Sequence, residues 1–265
     1  MEQSVSETKI IDIRGRKLGG PTPLICSPLV GRTRERLTAE AANVVAKKPD
    51  VIEWRVDYFE AIADAKAVVD VAAVLRKAAG DMPIIFTRRS VKEGGEKIAI
   101  GDEGVVKLYD AVGASGLVDF IDFEMGNDPG HVREVRESTR ARGAKLILSY
   151  HNFGYTPGQE FLVQRFLEAE RLGADVAKVA VMPRDRADVL TLLAATATAD
   201  AKARIPLISM SMGPLGAVTR MIGGVFGSSL SFAVGEGSSA PGQIPIADLN
   251  AVYDVIRRAR GTPNP

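Results

Sequence analysis

The sequence predicts an α/β protein folded as a single (β/α)8 TIM barrel, and three observations predict it. Short apolar runs alternate with helix-period stretches about eight times along the 265 residues. No Gly-x-Gly-x-x-Gly turn follows the first strand, which weakens the alternative of an open doubly wound sheet. No stretch reads as a linker, so residues 1–265 are expected to form one domain.

Residues 1–8 read as a polar, flexible leader. KIIDI, the turn RG and then RKL follow, a short N-terminal β-hairpin expected to close the bottom of the barrel. The apolar runs fall at 24–29, 51–56, 83–87, 117–123, 145–150, 175–181, 206–210 and 229–234. Between them, Val68, Val71, Ala72 and Leu75 share one helical face, as do Val105, Leu108, Tyr109 and Val112. Gly80 and Gly116 stand where a helix end needs positive φ. The last helix is expected over 246–260.

Composition narrows the partners. With 34 basic and 33 acidic residues the formal charge is +1, and no basic stripe argues for nucleic acid or an anionic membrane. A small anionic substrate stays open, because a local arginine cluster needs no basic whole. The single cysteine, Cys26, excludes an intramolecular disulfide and fits a cytoplasmic location. MEQSVSETKIIDIRG has no apolar signal region, and nowhere do about 18 uncharged apolar residues run together, so no membrane span is expected. Two histidines without ligand spacing make a zinc site unexpected, and neither metal nor cofactor is required.

Strands of a parallel barrel are covered on both faces and should be continuously apolar, so polar departures are informative. Side chains alternate, one parity facing the interior and the other the helices. In VIEWRVD, Ile52, Trp54 and Val56 suit the helix layer, which leaves Glu53, Arg55 and Asp57 inside. Likewise Thr87 and Arg89 face in beside the outward Ile84 and Phe86. Ser149 and His151 face in beside Leu146, Leu148 and Tyr150. In DVAKVAV, Lys178 faces in between Val176 and Ala180. Asp122 and Glu124 end another strand and read as supporting partners or as polar groups of the barrel mouth.

A strand lysine elsewhere often blocks a sheet edge, but a closed barrel has no edge. Glu53 and Arg55 also fit an interior salt bridge, and His151 a satisfied core residue. Taken together, the set reads as a mouth built for chemistry. Burial disfavours the charged form of Lys178, and a neutral amine attacks a ketone or aldehyde to give an imine. A protonated imine acidifies the adjacent carbon, and a base such as His151 removes that proton. Arginines suit a carboxylate or hydroxyls on the same substrate. The residues by themselves leave an imine-forming lyase and an aldolase both open.

The segments IEWRVD (52–57), FTRRSVKEGGE (86–96), SYHNF (149–153), AKVAVMP (177–183), ISMSMG (208–213) and SAPGQ (239–243) resemble type I 3-dehydroquinate dehydratase, in order over nearly the whole chain. The resemblance implies a metal-free dehydration of 3-dehydroquinate to 3-dehydroshikimate in the shikimate pathway, with a homodimeric enzyme. Carried over by motif, Lys178 forms the imine, His151 is the acid and base, and Glu93 in KEGGE orients His151. Arg220, in AVTRMIGGVFG, binds the substrate carboxylate. Glu53, Arg55 and Arg89 hold the ring hydroxyls, with Ser27 in the matching first-strand position. Ser239 and Gln243 belong to a mobile lid, and Met210, Met212 and Phe232 form apolar walls. Asn152 departs from the family, which often has an acidic residue there. Arg88 lies beside Arg89, and parity favours Arg89 as the ligand-facing one. Other Schiff-base lyases, a non-catalytic binding protein, and a phosphate-binding barrel using Gly223 and Gly224 are the rival readings.

Overall fold

The computed structural model describes residues 9–261, so the leader at 1–8 lies outside the described residues. The first two strands, β1 (Ile11–Ile13) and β2 (Arg16–Leu18), pair antiparallel around the Arg14–Gly15 turn. Eight parallel strands then follow as β3 (Leu24–Leu29), β4 (Val51–Arg55), β5 (Ile84–Thr87), β6 (Phe120–Glu124), β7 (Lys145–Asn152), β8 (Val176–Val181), β9 (Leu207–Ser211) and β10 (Leu230–Val234). They neighbour one another in chain order, β10 returns to pair with β3, and a parallel bridge from Leu207 to Ser228 draws β9 towards β10. The barrel is thereby closed, as the alternation of elements predicts.

Seven helices occupy the intervals: α1 (Arg34–Ala46), α2 (Ala65–Ala79), α3 (Asp102–Ser115), α4 (Pro129–Arg142), α5 (Gln159–Arg171), α6 (Arg186–Asp200) and α7 (Gly213–Ile222). The short β11 (Ile244–Pro245) leads into α8 (Ile246–Ala259). Asp64, Asp128 and Asp185 start α2, α4 and α6 by accepting backbone N–H groups, the partners a helix start lacks. Gly80 and Gly116 end α2 and α3 at φ 55° and 65°. Among the described residues no helix is long and apolar enough to cross a membrane.

The outward strand parity and the inward helix stripes make one core. Trp54, Phe86, Val68, Leu75, Tyr109 and Val112 are all buried in it, and Trp54, Phe86 and Tyr109 continue as a chain of edge-to-face rings. A second cluster fills the barrel floor: Cys26, Val51, Ile85, Phe120, Ile147, Val176, Ile208 and Leu230, with Leu18 of the hairpin against them. Ile11 and Ile13 pack on the same cluster. The hairpin thus plugs the N-terminal end with apolar side chains and leaves the opposite end open for polar groups.

Candidate active site

Two residues further along each strand the interior changes character, because parity returns the same face one layer above the apolar floor. Glu53, Asp122, Ser149 and Lys178 stand there, all buried. Arg55, Arg89, Glu124 and His151 stand nearer the C-terminal mouth. In register, Ser149 is opposite Lys178 and His151 opposite Ala180, so His151 sits one interior layer above the lysine on the neighbouring strand. Barrel active sites lie at this end of the strands.

A cavity of about 410 Å³ opens at the mouth. Lys178, His151, Glu93, Glu53, Arg55, Arg89, Arg220, Ser239 and Gln243 all line it, with Met210, Met212 and Phe232 as its apolar wall. Nine of the ten sequence-identified site residues therefore meet around one space. Ser27 does not line it. Its buried hydroxyl has no hydrogen-bond partner among the described residues, and a Cβ placed on Gly235 would come within 2.6 Å of it. Cys26, one position earlier, is the interior residue of β3, so Ser27 takes the opposite parity.

The lysine faces carboxylates as well as the apolar neighbours of its own strand. Nζ lies 2.8 Å from Asp122 Oδ2 and 3.6 Å from Glu53 Oε1, with the Phe232 ring centroid 4.5 Å away. Burial alone would raise Asp122, but Arg89 and then Lys178 hold its carboxyl well below the usual range. Arg89 Nη2 donates to Asp122 Oδ1 at 2.8 Å, while its Nη1 faces Ser149, Glu124 and Glu93. Arg55 is clamped bidentate by Asp57 at 2.8 Å on both contacts. Its Nη1 is left to face the lid, donating to the Ser239 carbonyl at 3.4 Å.

Glu93 follows β5 in a short 3-10 turn ended by Gly94 at φ 82°. Its Oε2 meets His151 Nδ1 at 2.8 Å. Burial, then the charges of Arg89 and Lys178, push His151 well below its ordinary range and favour the neutral ring, which can accept a proton. Burial pushes the Glu93 carboxyl up to about 8, against the pull of Arg89.

Arg220, on α7, is 1% exposed, yet among the described residues its guanidinium reaches only the Phe232 and Pro241 carbonyls at 3.4 and 3.3 Å and Met210 Sδ at 3.5 Å. Nε has no partner among the described residues, and burial brings the group down to about 10. A buried guanidinium without a carboxylate is a site that an anion would complete. The segment 239–243 closes the mouth from above. Pro241 O accepts from Gly213 N at 3.1 Å, and Gln243 exchanges hydrogen bonds with Ser239.

Asp122 lies outside the segments that carry the family resemblance. The available signal was the β6 alternation, in which Phe120, Asp122 and Glu124 share the inward parity.

A closed (β/α)8 barrel with an ion-paired lysine and a histidine at its C-terminal mouth has the architecture of a barrel enzyme. Comparison resolves the class further. The family model for type I 3-dehydroquinase matches residues 25–260. The 3-dehydroquinate dehydratase of Albidiferax ferrireducens is 55% identical over 97% of this chain and 98% of its own length. That of Geobacillus thermodenitrificans is 49% identical over 94% and 96%. The crystal structure of the Geobacillus kaustophilus 3-dehydroquinate dehydratase superposes with a TM-score of 0.92 at 45% identity, covering 94% of this chain and 97% of that one. The Clostridium difficile type I enzyme, crystallised with covalently modified comenic acid, gives 0.91 at 37% identity, covering 95% and 99%. The chain belongs to the type I 3-dehydroquinase family.

Proposed function

We propose that the chain is a hydro-lyase that converts 3-dehydroquinate to 3-dehydroshikimate through an imine on Lys178. The observation that carries this reading is one cavity holding three groups: an inward lysine, a neutral histidine and a buried guanidinium with no carboxylate partner. A substrate bearing a ketone, an acidic carbon and a carboxylate matches them.

The Lys178 amine attacks the C3 ketone, and the resulting iminium acidifies C2. His151 removes the C2 proton and returns a proton to the departing C1 hydroxyl, leaving the conjugated product. The imine then hydrolyses. Glu93 holds the His151 ring through Nδ1, so that Nε2 is presented to the ligand. Arg220 receives the carboxylate. Glu53, Arg55 and Arg89 address the ring hydroxyls, the last two through whatever donor capacity Asp57, Asp122 and Glu124 leave free. Ser239 and Gln243 close the lid. No cofactor takes part in this scheme.

The whole chain, 1–265, acts as one cytoplasmic catalytic domain in aromatic amino-acid biosynthesis. It works as a homodimer, a reading supported by the exposed Leu215, Val218 and Val225 along α7 and the turn after it; light scattering at assay concentration tests it.

Incubation with 3-dehydroquinate, reduction by borohydride and intact-mass measurement test the chemistry. A reduced adduct mapping to Lys178 is the expected result. Unmodified protein with no enone absorbance would sink the proposal.

A further inference from the structure

Asp122 touches Lys178 more closely than any other charged group, yet a ligand cannot reach it. Oδ2 lies 2.8 Å from Nζ, while Oδ1 accepts from Arg89 Nη2 at 2.8 Å and from Ser149 Oγ at 2.6 Å. The side chain is fully buried and takes no part in lining the cavity. Glu53 differs on both counts, lying 3.6 Å from Nζ and lining the cavity.

We propose that Asp122 is the fixed counter-ion of the reacting nitrogen, a positioning residue that acts on the reaction through Lys178 and is itself anchored by Arg89 and Ser149. The inference rests on the imine chemistry proposed above. The lysine starts as an ammonium bearing one positive charge. As the C–N bond forms, the ketone oxygen leaves as water, carrying away two of the three protons on nitrogen. An iminium remains, again with one positive charge, so the conversion neither gains nor loses a proton overall. His151 speeds the transfer of the proton that leaves nitrogen as the amine attacks. Removal of the C2 proton by His151 sends the electron pair to nitrogen and gives a neutral enamine. That pair then expels the C1 hydroxyl, which leaves as water with the proton from His151, and the positive charge returns to nitrogen.

A carboxylate beside Nζ therefore faces the same charge before imine formation, after it, and again after dehydration. The geometry suits a stationary partner. Arg89 and Ser149 lock one oxygen of Asp122, so the other cannot swing away from Nζ. The Phe232 ring bounds Nζ on another side, its centroid 4.5 Å away. Lys178 is thus held in one place as its bonds change.

Asp122→Asn keeps the size and removes the charge. With 3-dehydroquinate, kcat and the rate of borohydride trapping at Lys178 are expected to fall about 100-fold or more. The dissociation constant for quinate, which has no ketone, should stay within about threefold, because Asp122 does not face the ligand and Arg89 keeps Glu124 and Glu93 as partners. A merely structural loss would move both together. Asp122→Ala, prepared in formate if the Asn variant does not fold, adds a charge-specific check. Formate should restore trapping, whereas the neutral, similarly sized formamide should not. Equal rescue by both, or an Asn variant trapping and turning over within about threefold of the parent, would overturn the assignment. If the parent chain itself yields no adduct on Lys178, the imine reading fails, and this proposal with it.

Discussion

Oε2 of Glu93 lies 2.8 Å from Nδ1 of His151 and also accepts the backbone N–H of the same residue at 3.1 Å. One carboxylate oxygen thereby fixes both the ring and the strand that carries it. With Glu93 ionised, Nδ1 holds the proton and Nε2 keeps its lone pair for the ligand. With Glu93 protonated the tautomer reverses, so with this carboxyl pushed up to about 8 the base is gained as pH rises towards that value.

That coupling has a consequence for stability against pH. Burial raises Glu93 from 4.5 to about 8. A carboxyl raised on folding contributes stability that is complete below 4.5 and lost as pH rises through about 8. Glu93→Gln removes this dependence, so the variant should lose less stability than the parent between those two pH values. Urea denaturation at each end measures the difference, and parallel pH dependence of parent and variant would refute it.

Lysine and histidine are separable by trapping. His151→Ala should lower kcat by roughly 10²–10⁴-fold, the range for a lost general base, while borohydride still captures an adduct. Lys178→Ala should abolish turnover and capture alike. Steady-state kinetics beside intact mass distinguishes them, and a near-parental rate in His151→Ala would remove it as the base.

Arg220→Met should trade function for stability. The guanidinium is buried among carbonyls and a thioether without an anion, so an apolar side chain of similar length should raise the melting temperature of the ligand-free protein. Loss of charge-assisted hydrogen bonds worth about 1.5–3 kcal/mol should cut kcat/KM by about 10- to 100-fold. An unchanged kcat/KM would show that the carboxylate is held elsewhere.

The lid offers a steric test. Gly242 sits at φ 78°, and a Cβ there would come within 2.3 Å of the Gly213 carbonyl oxygen. Gly242→Ala should keep the lid from seating, raising KM and lowering kcat together by about tenfold. Limited proteolysis should then cut the segment around 235–243 faster than in the parent. Parental kinetics with parental protection would show that closure does not need this contact.

Much of this protein is determined locally. Alternation of apolar runs with helix-period stretches is set by the pitch of each element, and it is enough to specify eight strands, their order and the hairpin ahead of them. Parity is equally local, since a strand returns the same face every second residue, so the interior positions of Glu53, Arg55, Arg89, His151 and Lys178 are legible before any contact is known. Glu93, Arg220, Ser239 and Gln243 lie in turns, a helix and a loop, where no period indicates direction, and only motif resemblance marked them. The tertiary structure alone decided which charges meet. Asp122 and Lys178 are 56 residues apart in sequence and 2.8 Å apart in space. Their pairing depends on strand stagger and barrel closure, which bring β6 and β8 to a common interior layer, and no local pattern records that. The same closure leaves Arg220 without a carboxylate partner among the described residues, whereas Ser27 is turned from the cavity by the local parity of β3.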